Sequence, residues 1–459
     1  MIYREHAANH PTNWAQEKSC EFGRYFKHVR CLYSPVCLIL SLLALLLLGT
    51  GIAAMLVILI GIPKTTITAT TATTTTSTTT STATTTTETT TTTCKATFAF
   101  LFAYIDEYSH HWISPCNRFP TQVTYSTGSG PVYVAAADVN GDSKLDIIVT
   151  NWFSNNVGIL LNNGNGTFST QVTYSTGTNP RSVAAADING DSKLDIIVAN
   201  FGSNNVGVLL NNGTGAFATQ VTYSTGINPV SVVAADINGD NKLDIIVANL
   251  NSVNIGVLLN NGTGTFAAQV TYSTGVDPYS VAAADVNGDS KLDIIVTNYG
   301  SNNVGVLLNT GTGTFAAQVT YSTGSGPYSV AAADVNGDST VDIIVGNDVS
   351  NNIGVLLNNG NGTFAAQVTY STGSNPRSVV AADVNGDSKL DIIVANMNSN
   401  NVGVLLNNGN GTFAAQVTYS TGSNPYPVAA VDVSGDSKVD IIVANGGSNN
   451  VGVLLAACN

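Results

Sequence analysis

Short apolar runs and polar turns alternate along most of the chain in a pattern that recurs every 49 residues, seven times, without insertion or deletion. In the first copy the pattern predicts four short strands at 132–138, 145–150, 157–162 and 171–175. The segments between these strands are rich in Asn, Gly and Pro, whose backbone preferences suit tight turns. Four antiparallel strands in each of seven copies predict an all-β fold, a seven-bladed β-propeller over residues 119–459.

The two ends of the repeat region predict that the ring is closed by both termini. Residues 119–126 match a fourth strand, whereas the chain ends shortly after a third strand at 451–455. The N-terminal strand should therefore complete the last blade. Cys116 and Cys458 stand one position apart in the 49-residue register, so we predict a Cys116–Cys458 disulfide, which an oxidising exterior permits. Pairing of Cys94 with Cys116 is the competing possibility.

The longest apolar run lies outside the repeats, at residues 36–62, where 27 residues carry no charge. This exceeds the ~20 residues needed to cross a bilayer and predicts a transmembrane helix. A buried core helix or a cleaved signal peptide would be shorter. Because Lys18, Arg24, Lys27 and Arg30 precede the run, residues 1–35 are predicted to be a cytosolic tail. The expected location is the plasma membrane, as a single-pass type II protein with an extracellular C-terminal propeller.

Two segments separate the predicted span from the propeller. Residues 63–93 are dominated by threonine, with 22 threonines between positions 65 and 93, and predict an extended stalk, O-glycosylated or unmodified. Residues 94–118 contain a short apolar run followed by the pair His110–His111. Adjacent histidines rarely converge on one metal ion, so we interpret this segment as a packing segment beside the propeller.

The acidic residues are concentrated in one loop of each repeat. The chain has a net charge of −13, and from residue 119 onward it holds 23 acidic and eight basic residues. Three aspartates per repeat account for 21 of those acidic residues. Seven divalent cations would nearly neutralise this region. The absence of a basic face argues against nucleic acid as a partner.

The acidic loop in the first repeat is Asp138-Val139-Asn140-Gly141-Asp142-Ser143-Lys144-Leu145-Asp146. Side-chain oxygens at positions 1, 3, 5 and 9, with a backbone carbonyl at position 7, are the hard ligands that Ca²⁺ prefers. A plain hairpin turn would need only two or three such residues. We therefore predict up to seven Ca²⁺ ions, one per blade. The predicted ligands are Asp138, Asn140, Asp142, Lys144, Asp146, Asp187, Asn189, Asp191, Lys193, Asp195, Asp236, Asn238, Asp240, Lys242, Asp244, Asp285, Asn287, Asp289, Lys291, Asp293, Asp334, Asn336, Asp338, Thr340, Asp342, Asp383, Asn385, Asp387, Lys389, Asp391, Asp432, Ser434, Asp436, Lys438 and Asp440.

The motif Asp-x-Asn-Gly-Asp-x-x-x-Asp, followed by Ile-Ile-Val and later by Gly-Thr-Phe, resembles the FG-GAP/VCBS repeat of integrin α-subunit propellers and other extracellular proteins. The resemblance covers about residues 119–459 and implies a calcium-binding seven-bladed propeller. Two departures stand out. The family usually has Gly at position 6, where this chain has Ser143 and its equivalents or Asn241, and Ser434 replaces Asn at position 3 of the last loop. The last calcium site is therefore expected to be the weakest.

Asn-x-Thr sequons occur in the turn between the third and fourth strands, at Asn165, Asn212, Asn261, Asn361 and Asn410. In an up-and-down blade this turn lies on the same face as the acidic loop, which we call the Asp-loop face. N-glycosylation there would shield that face.

Differences among the seven copies are concentrated on the opposite face, which we call the variable face. They fall just after the second strand and just after the proline that precedes each first strand. Aromatic residues and arginines, which are typical of binding hot spots, occur at these positions. The candidate ligand-binding residues are Trp152, Arg181, Phe201, Tyr279, Tyr299, Tyr328, Arg377 and Tyr426.

These observations predict a cell-surface protein that uses the variable face for recognition or adhesion, with a protein or a glycan as ligand, as the integrin resemblance also implies. A purely structural surface protein, with calcium as a rigidifying element, is the alternative. A carbohydrate-active enzyme is a weaker one, because all five histidines precede residue 119 and only Asp277 and Asp348 remain as carboxylates on the variable face. No catalytic activity is expected.

Overall fold

A computed structural model describes residues 118–457 of the chain. The predicted tail at 1–35, the span at 36–62, the stalk at 63–93, nearly all of 94–118, and the cysteines at 94, 116 and 458 lie outside these residues. Among residues 118–457, no helix has the length and apolarity needed to cross a membrane.

Residues 118–457 fold into seven four-stranded antiparallel sheets that form the blades of a β-propeller. Two one-turn 3-10 helices, Phe201–Ser203 and Met397–Ser399, follow the second strands of the second and sixth blades. The strands in chain order are β1 (Val123–Ser126), β2 (Pro131–Ala137), β3 (Asp146–Asn151), β4 (Asn156–Leu160), β5 (Val172–Ser175), β6 (Pro180–Ala186), β7 (Asp195–Asn200), β8 (Asn205–Leu209), β9 (Val221–Ser224), β10 (Pro229–Ala235), β11 (Asp244–Asn249), β12 (Asn254–Leu258), β13 (Val270–Ser273), β14 (Pro278–Ala284), β15 (Asp293–Asn298), β16 (Asn303–Leu307), β17 (Val319–Ser322), β18 (Pro327–Ala333), β19 (Asp342–Asn347), β20 (Asn352–Leu356), β21 (Val368–Ser371), β22 (Pro376–Ala382), β23 (Asp391–Asn396), β24 (Asn401–Leu405), β25 (Val417–Ser420), β26 (Pro425–Val431), β27 (Asp440–Asn445) and β28 (Asn450–Leu454).

The order of strands within a blade follows the chain, from the propeller axis outward. In the first blade β2 is innermost and contacts the inner strands β6 and β26 of its neighbours. Alanines at its end allow this close approach. All six residues of β3 are buried, as expected for a strand covered on both sides. The outermost strand β5 exposes its valine and threonine and half-buries its tyrosine.

The core consists of apolar layers between adjacent blades. The layer between the first two blades contains Ile148, Ile159, Val183 and Ile196, all almost fully buried. Each outer-strand tyrosine also packs edge-on against the phenylalanine at the start of the next blade's outer segment, as Tyr174 does against Phe217 at 5.3 Å. Neighbouring blades are therefore held together at the inner and outer radius alike.

The N-terminal strand completes the seventh blade, as predicted. β1 pairs antiparallel with β28, with Val123 opposite Val453. Phe119 is buried and packs edge-on against Tyr419 at 5.1 Å, in the role that Phe168 and its equivalents have in the other blades. The Ala457 N–H donates to the Arg118 carbonyl at 2.8 Å. Both ends of the described chain thus lie side by side at the seam of the ring.

Candidate metal loops and candidate recognition face

Each acidic loop is folded around the carboxylate of its first aspartate. In the first blade, Asp138 Oδ1 accepts hydrogen bonds from the N–H groups of Gly141 (2.7 Å) and Asp142 (3.2 Å), and its Oδ2 accepts one from Ser143 (2.7 Å). Loops that bind hard cations need such tight curvature, because it directs alternate side chains toward one point.

The last aspartate of the loop is the first residue of the second strand and is fully buried. Asp146 Oδ2 accepts from the Val139 N–H (3.0 Å), and Oδ1 accepts from the Asn162 N–H (2.8 Å). Burial raises the pKa of this carboxyl, and the nearby charges of Asp142 and Asp138 raise it further, against the opposing effect of the backbone N–H donors. The pKa of the equivalent Asp244 is raised to about 6.

A lysine at position 7 approaches the aspartate at position 5 in six blades. Lys144 Nζ lies 3.2 Å from Asp142 Oδ2, and both side chains are more than one-third exposed, so the pair contributes little stability. The fifth blade has Thr340 instead, whose hydroxyl donates to Asp338. That loop therefore carries no lysine to offset its aspartates.

The donor set fits a hard divalent cation in chemistry and in charge. The charges of two loop carboxylates act on a third that is buried and disfavoured in its charged form, and a cation would relieve that cost. An amide oxygen and a backbone carbonyl complete the type of ligand set that Ca²⁺ takes. Within residues 118–457, no three His, Cys, Asp or Glu side chains form a group that could hold a metal ion. The first carboxylate of the loop accepts hydrogen bonds from backbone N–H groups.

One residue that supports the loop was not predicted from the sequence. The Asn162 side-chain amide donates both to the Leu145 carbonyl of its own loop and to the Val433 carbonyl of the preceding blade's loop, each at 2.9 Å. The sequence assigned Asn162 to the end of the third strand, but that strand ends at Leu160. The same bridge is made by Asn211, Asn260, Asn309, Asn358 and Asn407. The sequence feature that could have indicated this bridge is the presence of asparagine at the same position in six copies of the repeat.

On the variable face, five of the eight candidate ligand-binding residues converge at the axis, where they form what we call the axial cluster: Arg181, Tyr279, Tyr328, Arg377 and Tyr426. Each is the second residue of an innermost strand. Arg181 donates to the hydroxyls of Tyr279 and Tyr328, which lie in the fourth and fifth blades. These contacts join blades that are not neighbours.

The other three candidates line the axial cluster. Trp152 packs against Phe201 with ring centroids 5.1 Å apart, and the Arg181 guanidinium carbon lies 5.5 Å from the Trp152 ring centroid. Tyr299 packs against Tyr279 at 5.8 Å. The structure therefore brings all eight residues, which come from eight separate loops and strands, into one surface.

Asp348 and Asp277, the two carboxylates that the sequence places on the variable face, differ in their surroundings. Asp348 is buried and forms an ion pair with Arg377 Nε at 3.2 Å. Arg377 also donates to the Tyr426 hydroxyl at 3.0 Å. Asp277 lies in the loop before β14 with a positive φ of 54°.

The distribution of exposed apolar side chains separates the two faces. Among the described residues, the large exposed hydrophobics fall into two groups. One is the ring of outer-strand valines, Val123, Val172, Val221, Val270, Val319, Val368 and Val417. The other is confined to loops of the variable face and consists of Phe153, Ile227, Val253, Val276 and Val349, with Phe153 as much as 70% exposed.

Comparison with known proteins identifies the repeat. The FG-GAP-like repeat matches residues 138–198, 187–247, 237–296, 285–345, 334–394 and 383–443, which together span well over half of the chain. This chain belongs to the FG-GAP-like repeat family. No curated protein matches the full sequence significantly.

Several solved structures resemble the FG-GAP propeller in fold. Virginiamycin B lyase from Staphylococcus aureus has a TM-score of 0.52 at 15% identity, covering 73% of this chain and 99% of the lyase. A streptogramin B lyase has a TM-score of 0.53 at 17% identity, covering 73% and 97%. Hydrazine synthase from Kuenenia stuttgartiensis has a TM-score of 0.54 at 15% identity, covering 76% and 100%. At these identities the similarity establishes the fold alone.

The structure explains why position 6 of an FG-GAP loop favours glycine. Ser143 has φ of 65° and Asn241 has φ of 62°, and the equivalent serines of the other blades lie in the same left-handed region. Glycine adopts this conformation without a Cβ penalty, and asparagine tolerates it better than serine. The seven loops of this propeller keep the required backbone without the usual residue.

The last FG-GAP loop differs in its hydrogen bonds. The Ser434 hydroxyl donates to Asp432 at 3.3 Å, and its N–H donates to Asp440 at 3.2 Å. In the other blades the amide oxygen at this position accepts from the N–H at position 5, as Asn140 does from Asp142 at 3.0 Å. In the last loop no such bond is made, and the serine hydroxyl is engaged with Asp432 instead.

The sequon asparagines of the FG-GAP propeller are all exposed. The carbonyl oxygen of the Asn165 side chain accepts a hydrogen bond from the Thr167 hydroxyl at 2.6 Å. The turn that carries each sequon packs near an acidic loop, as shown by the approach of Lys144 to Gly164. This places the five predicted glycosylation positions on the Asp-loop face.

Proposed function

We propose that the protein is a single-pass cell-surface protein that presents a calcium-stabilised FG-GAP propeller for extracellular recognition or adhesion, with a protein or glycan ligand bound on the variable face. The N-terminal span and threonine-rich stalk inferred from the sequence would anchor the propeller and hold it away from the bilayer.

The calcium role of the proposal rests on the acidic loops. Asp138, Asn140, Asp142, the Lys144 carbonyl and Asp146 would hold the ion in the first blade. Bound there, Ca²⁺ supplies positive charge and crosslinks the ends of the first two strands. The loop residues orient the ligand oxygens through their own hydrogen bonds, and Asn162 would transmit that order to the preceding blade.

The main support for the recognition role is that, among the described residues, the large apolar side chains that are exposed in loops occur on only one face. Apart from the outer-strand valines, the large exposed hydrophobics of the described residues all lie in loops of the variable face, which also carries the axial cluster. Exposed apolar residues next to aromatic and arginine side chains are typical of protein and glycan contacts. The sequons, by contrast, belong to the opposite face, so attached glycans would leave the variable face free.

The other copies of the repeat supply substitutions that test this role. Phe153 and Val349 align with Asn251 and Asn398, whereas Ile227 and Val276 align with serines at positions 325, 374 and 423. The variant F153N/I227S/V276S/V349N therefore uses residues that the same loops already accommodate. Binding of the full-length protein on transfected cells to a panel of cells and immobilised glycans is the measurement, and we expect saturable binding by the wild type and its loss in the variant.

A matched control changes the same number of exposed apolar residues elsewhere. The variant V172T/V221T/V270T/V319T alters outer-strand valines and should bind like the wild type. Equal binding by both variants would contradict a recognition role for the variable face. If the wild type shows no saturable binding while chelation still lowers its melting temperature, the purely structural role would be favoured instead.

A further inference from the structure

The axial cluster has an unusual charge composition. Among the described residues it contains two arginines but only one adjacent carboxylate, Asp348. That carboxylate pairs with Arg377 at 3.2 Å. In residues 118–457 no carboxylate oxygen lies within 4.0 Å of the Arg181 guanidinium, which donates hydrogen bonds only to phenol hydroxyls. The cluster therefore keeps one positive charge without a counter-ion.

The surrounding tyrosines do not neutralise that charge. The Tyr279 hydroxyl donates to the Tyr328 hydroxyl at 2.9 Å, so the two form a chain of neutral groups. Burial raises the pKa of Tyr328, which keeps this phenol protonated at neutral pH. A partly desolvated cation that is bonded only to neutral acceptors is costly to the folded state.

The fold does not require an arginine at this position. The equivalent residues of the first and third blades are Val132 and Val230, in the same place at the start of innermost strands. Two blades thus build the axial region with a small apolar residue. The unpaired charge of Arg181 is therefore better explained by something it binds than by the architecture.

Contacts of Arg181 leave part of its guanidinium available. The group stacks between the rings of Trp152, at 5.5 Å, and Tyr279, at 5.0 Å, and only its Nη2 donates to the tyrosines. Among residues 118–457, Nε and Nη1 of Arg181 donate to no protein acceptor, and the residue as a whole is half-buried. A guanidinium held flat by stacking presents its free N–H groups in a plane, which matches the planar carboxylate.

We propose that Arg181 anchors the carboxylate of an acidic sugar at the centre of the variable face, with the half-buried rings of Trp152 and Phe201 beside the sugar ring. This inference rests on the proposed recognition role and names its ligand class. The aromatic surfaces favour a carbohydrate over an acidic peptide, because the C–H faces of a pyranose stack on aromatic rings. The free donors of Arg181 would satisfy both carboxylate oxygens and supply the missing negative charge.

The test is calorimetric titration of the full-length protein in detergent with glucuronic, galacturonic and N-acetylneuraminic acid, each beside its neutral counterpart or methyl ester. We expect at least one acid to bind and its neutral form to bind about 10- to 100-fold more weakly, the range for losing charge-assisted hydrogen bonds. Arg181→Val should abolish that preference. Arg181→Lys should retain part of it, because it keeps the charge but not the planar donors.

A control variant changes residues outside the axial cluster. V172T/V221T/V270T/V319T alters exposed outer-strand valines and is expected to keep the preference for the acid. Arg181→Val should also melt no lower than the wild type, because it removes an uncompensated charge. If Arg181→Val fails to fold, the comparison of acid with ester in the wild type and in Arg181→Lys still decides the question.

Several results would overturn the proposal. They are equal binding of acid and ester, an unchanged preference in Arg181→Val, preferential binding of an acidic peptide or a sulfate ester over every acidic sugar, and failure of all three acids to bind. In each case the cell-binding assay with F153N/I227S/V276S/V349N remains a separate test. Loss of cell binding in that variant without any acid preference would leave the recognition role in place and remove only the acidic-sugar assignment.

Discussion

Asn204 Oδ1 accepts a hydrogen bond from the Asn228 backbone N–H at 2.8 Å and ties a variable-face loop of the second blade to the next blade. The equivalent asparagines at positions 155, 302, 351, 400 and 449 make the same bond, and all six have a positive φ near 50°. Val253 is the exception. It has φ of 52°, although β-branched residues strongly disfavour this region, and it offers no acceptor to the Asp277 N–H.

Val253→Asn is therefore expected to stabilise the propeller. The substitution replaces a strained residue with one that tolerates left-handed backbone, and it supplies the missing bond to Asp277. We expect the free energy of unfolding to rise by about 1–2 kcal/mol, measured by urea denaturation. The mirror substitution Asn204→Val should lower it by a similar amount. A loss of stability in Val253→Asn would show that the valine is held by contacts stronger than the strain.

Calcium is expected to reverse the pH dependence of stability. In the metal-free protein, the pKa of Asp244 is about 6 because of burial, above the ~3.9 of an unfolded Asp. Between these values the folded state binds more protons than the unfolded state. This contribution to the free energy of unfolding is thus present below about pH 4 and is lost as the pH rises through about 6. A bound cation would favour the charged carboxylate, so the loaded protein should lose stability as the pH falls.

The measurement is the melting temperature at about pH 7 and at about pH 5.5. With a pKa of about 6, Asp244 is mostly charged at the higher pH and mostly protonated at the lower one. In EDTA, the seven buried aspartates should make the melting temperature higher at the lower pH than at the higher pH. In calcium, the melting temperature should be lower at the lower pH. Asp244→Asn removes one titrating group and is expected to weaken both trends. The same direction with and without calcium would argue against metal binding by these loops.

The loops are not expected to bind calcium equally. The last loop has Ser434 in place of the amide, and its hydroxyl is engaged with Asp432. Ser434→Asn should therefore raise the affinity of this site, by about tenfold for one recovered ligand worth roughly 1.4 kcal/mol. Calorimetric titration of the wild type should show one calcium site that is weaker than the rest. The same titration of Ser434→Asn should show no such weaker site. Identical titrations of the two proteins would contradict the assignment.

Much of the fold could be predicted because the same pattern of strands and turns occurs in seven copies. The predicted strands of the first blade agree with the observed ones to within two residues, and ring closure by β1 followed from the phase of the two ends. The Arg181–Tyr279 contact could not be predicted, since the residues lie two blades apart and only the closed ring brings them together. The 49-residue register did show Val253 among six asparagines, but it could not show that the position needs a positive φ. The bridge from Asn162 to Val433 likewise depends on how adjacent blades pack.

Arg377 and Asp348 are expected to be coupled in stability. Asp348 is buried and pairs with Arg377, which also stacks on Tyr328 and Tyr426 at 4.9 and 5.2 Å. Arg377→Val alone leaves a buried carboxylate without a partner and should cost about 3–5 kcal/mol. The double variant with Asp348→Leu should recover most of this loss, because apolar residues occupy both positions in other blades. Additive effects of the two substitutions in denaturation experiments would show that the pair does not interact.

The seam of the ring predicts the pairing of two cysteines that lie just beyond the described residues. The Ala457 N–H donates to the Arg118 carbonyl at 2.8 Å, and in the sequence Cys458 comes directly after Ala457 while Cys116 comes two residues before Arg118. A Cys116–Cys458 disulfide would close a loop of more than 300 residues, for which loop entropy gives up to about 5 kcal/mol. Non-reducing peptide mapping should find this pair, and Cys458→Ser should lower the melting temperature about as much as reduction does. A Cys94–Cys116 peptide would contradict it, and the seam would then be held by β1–β28 pairing, the Ala457–Arg118 hydrogen bond and the packing of Phe119.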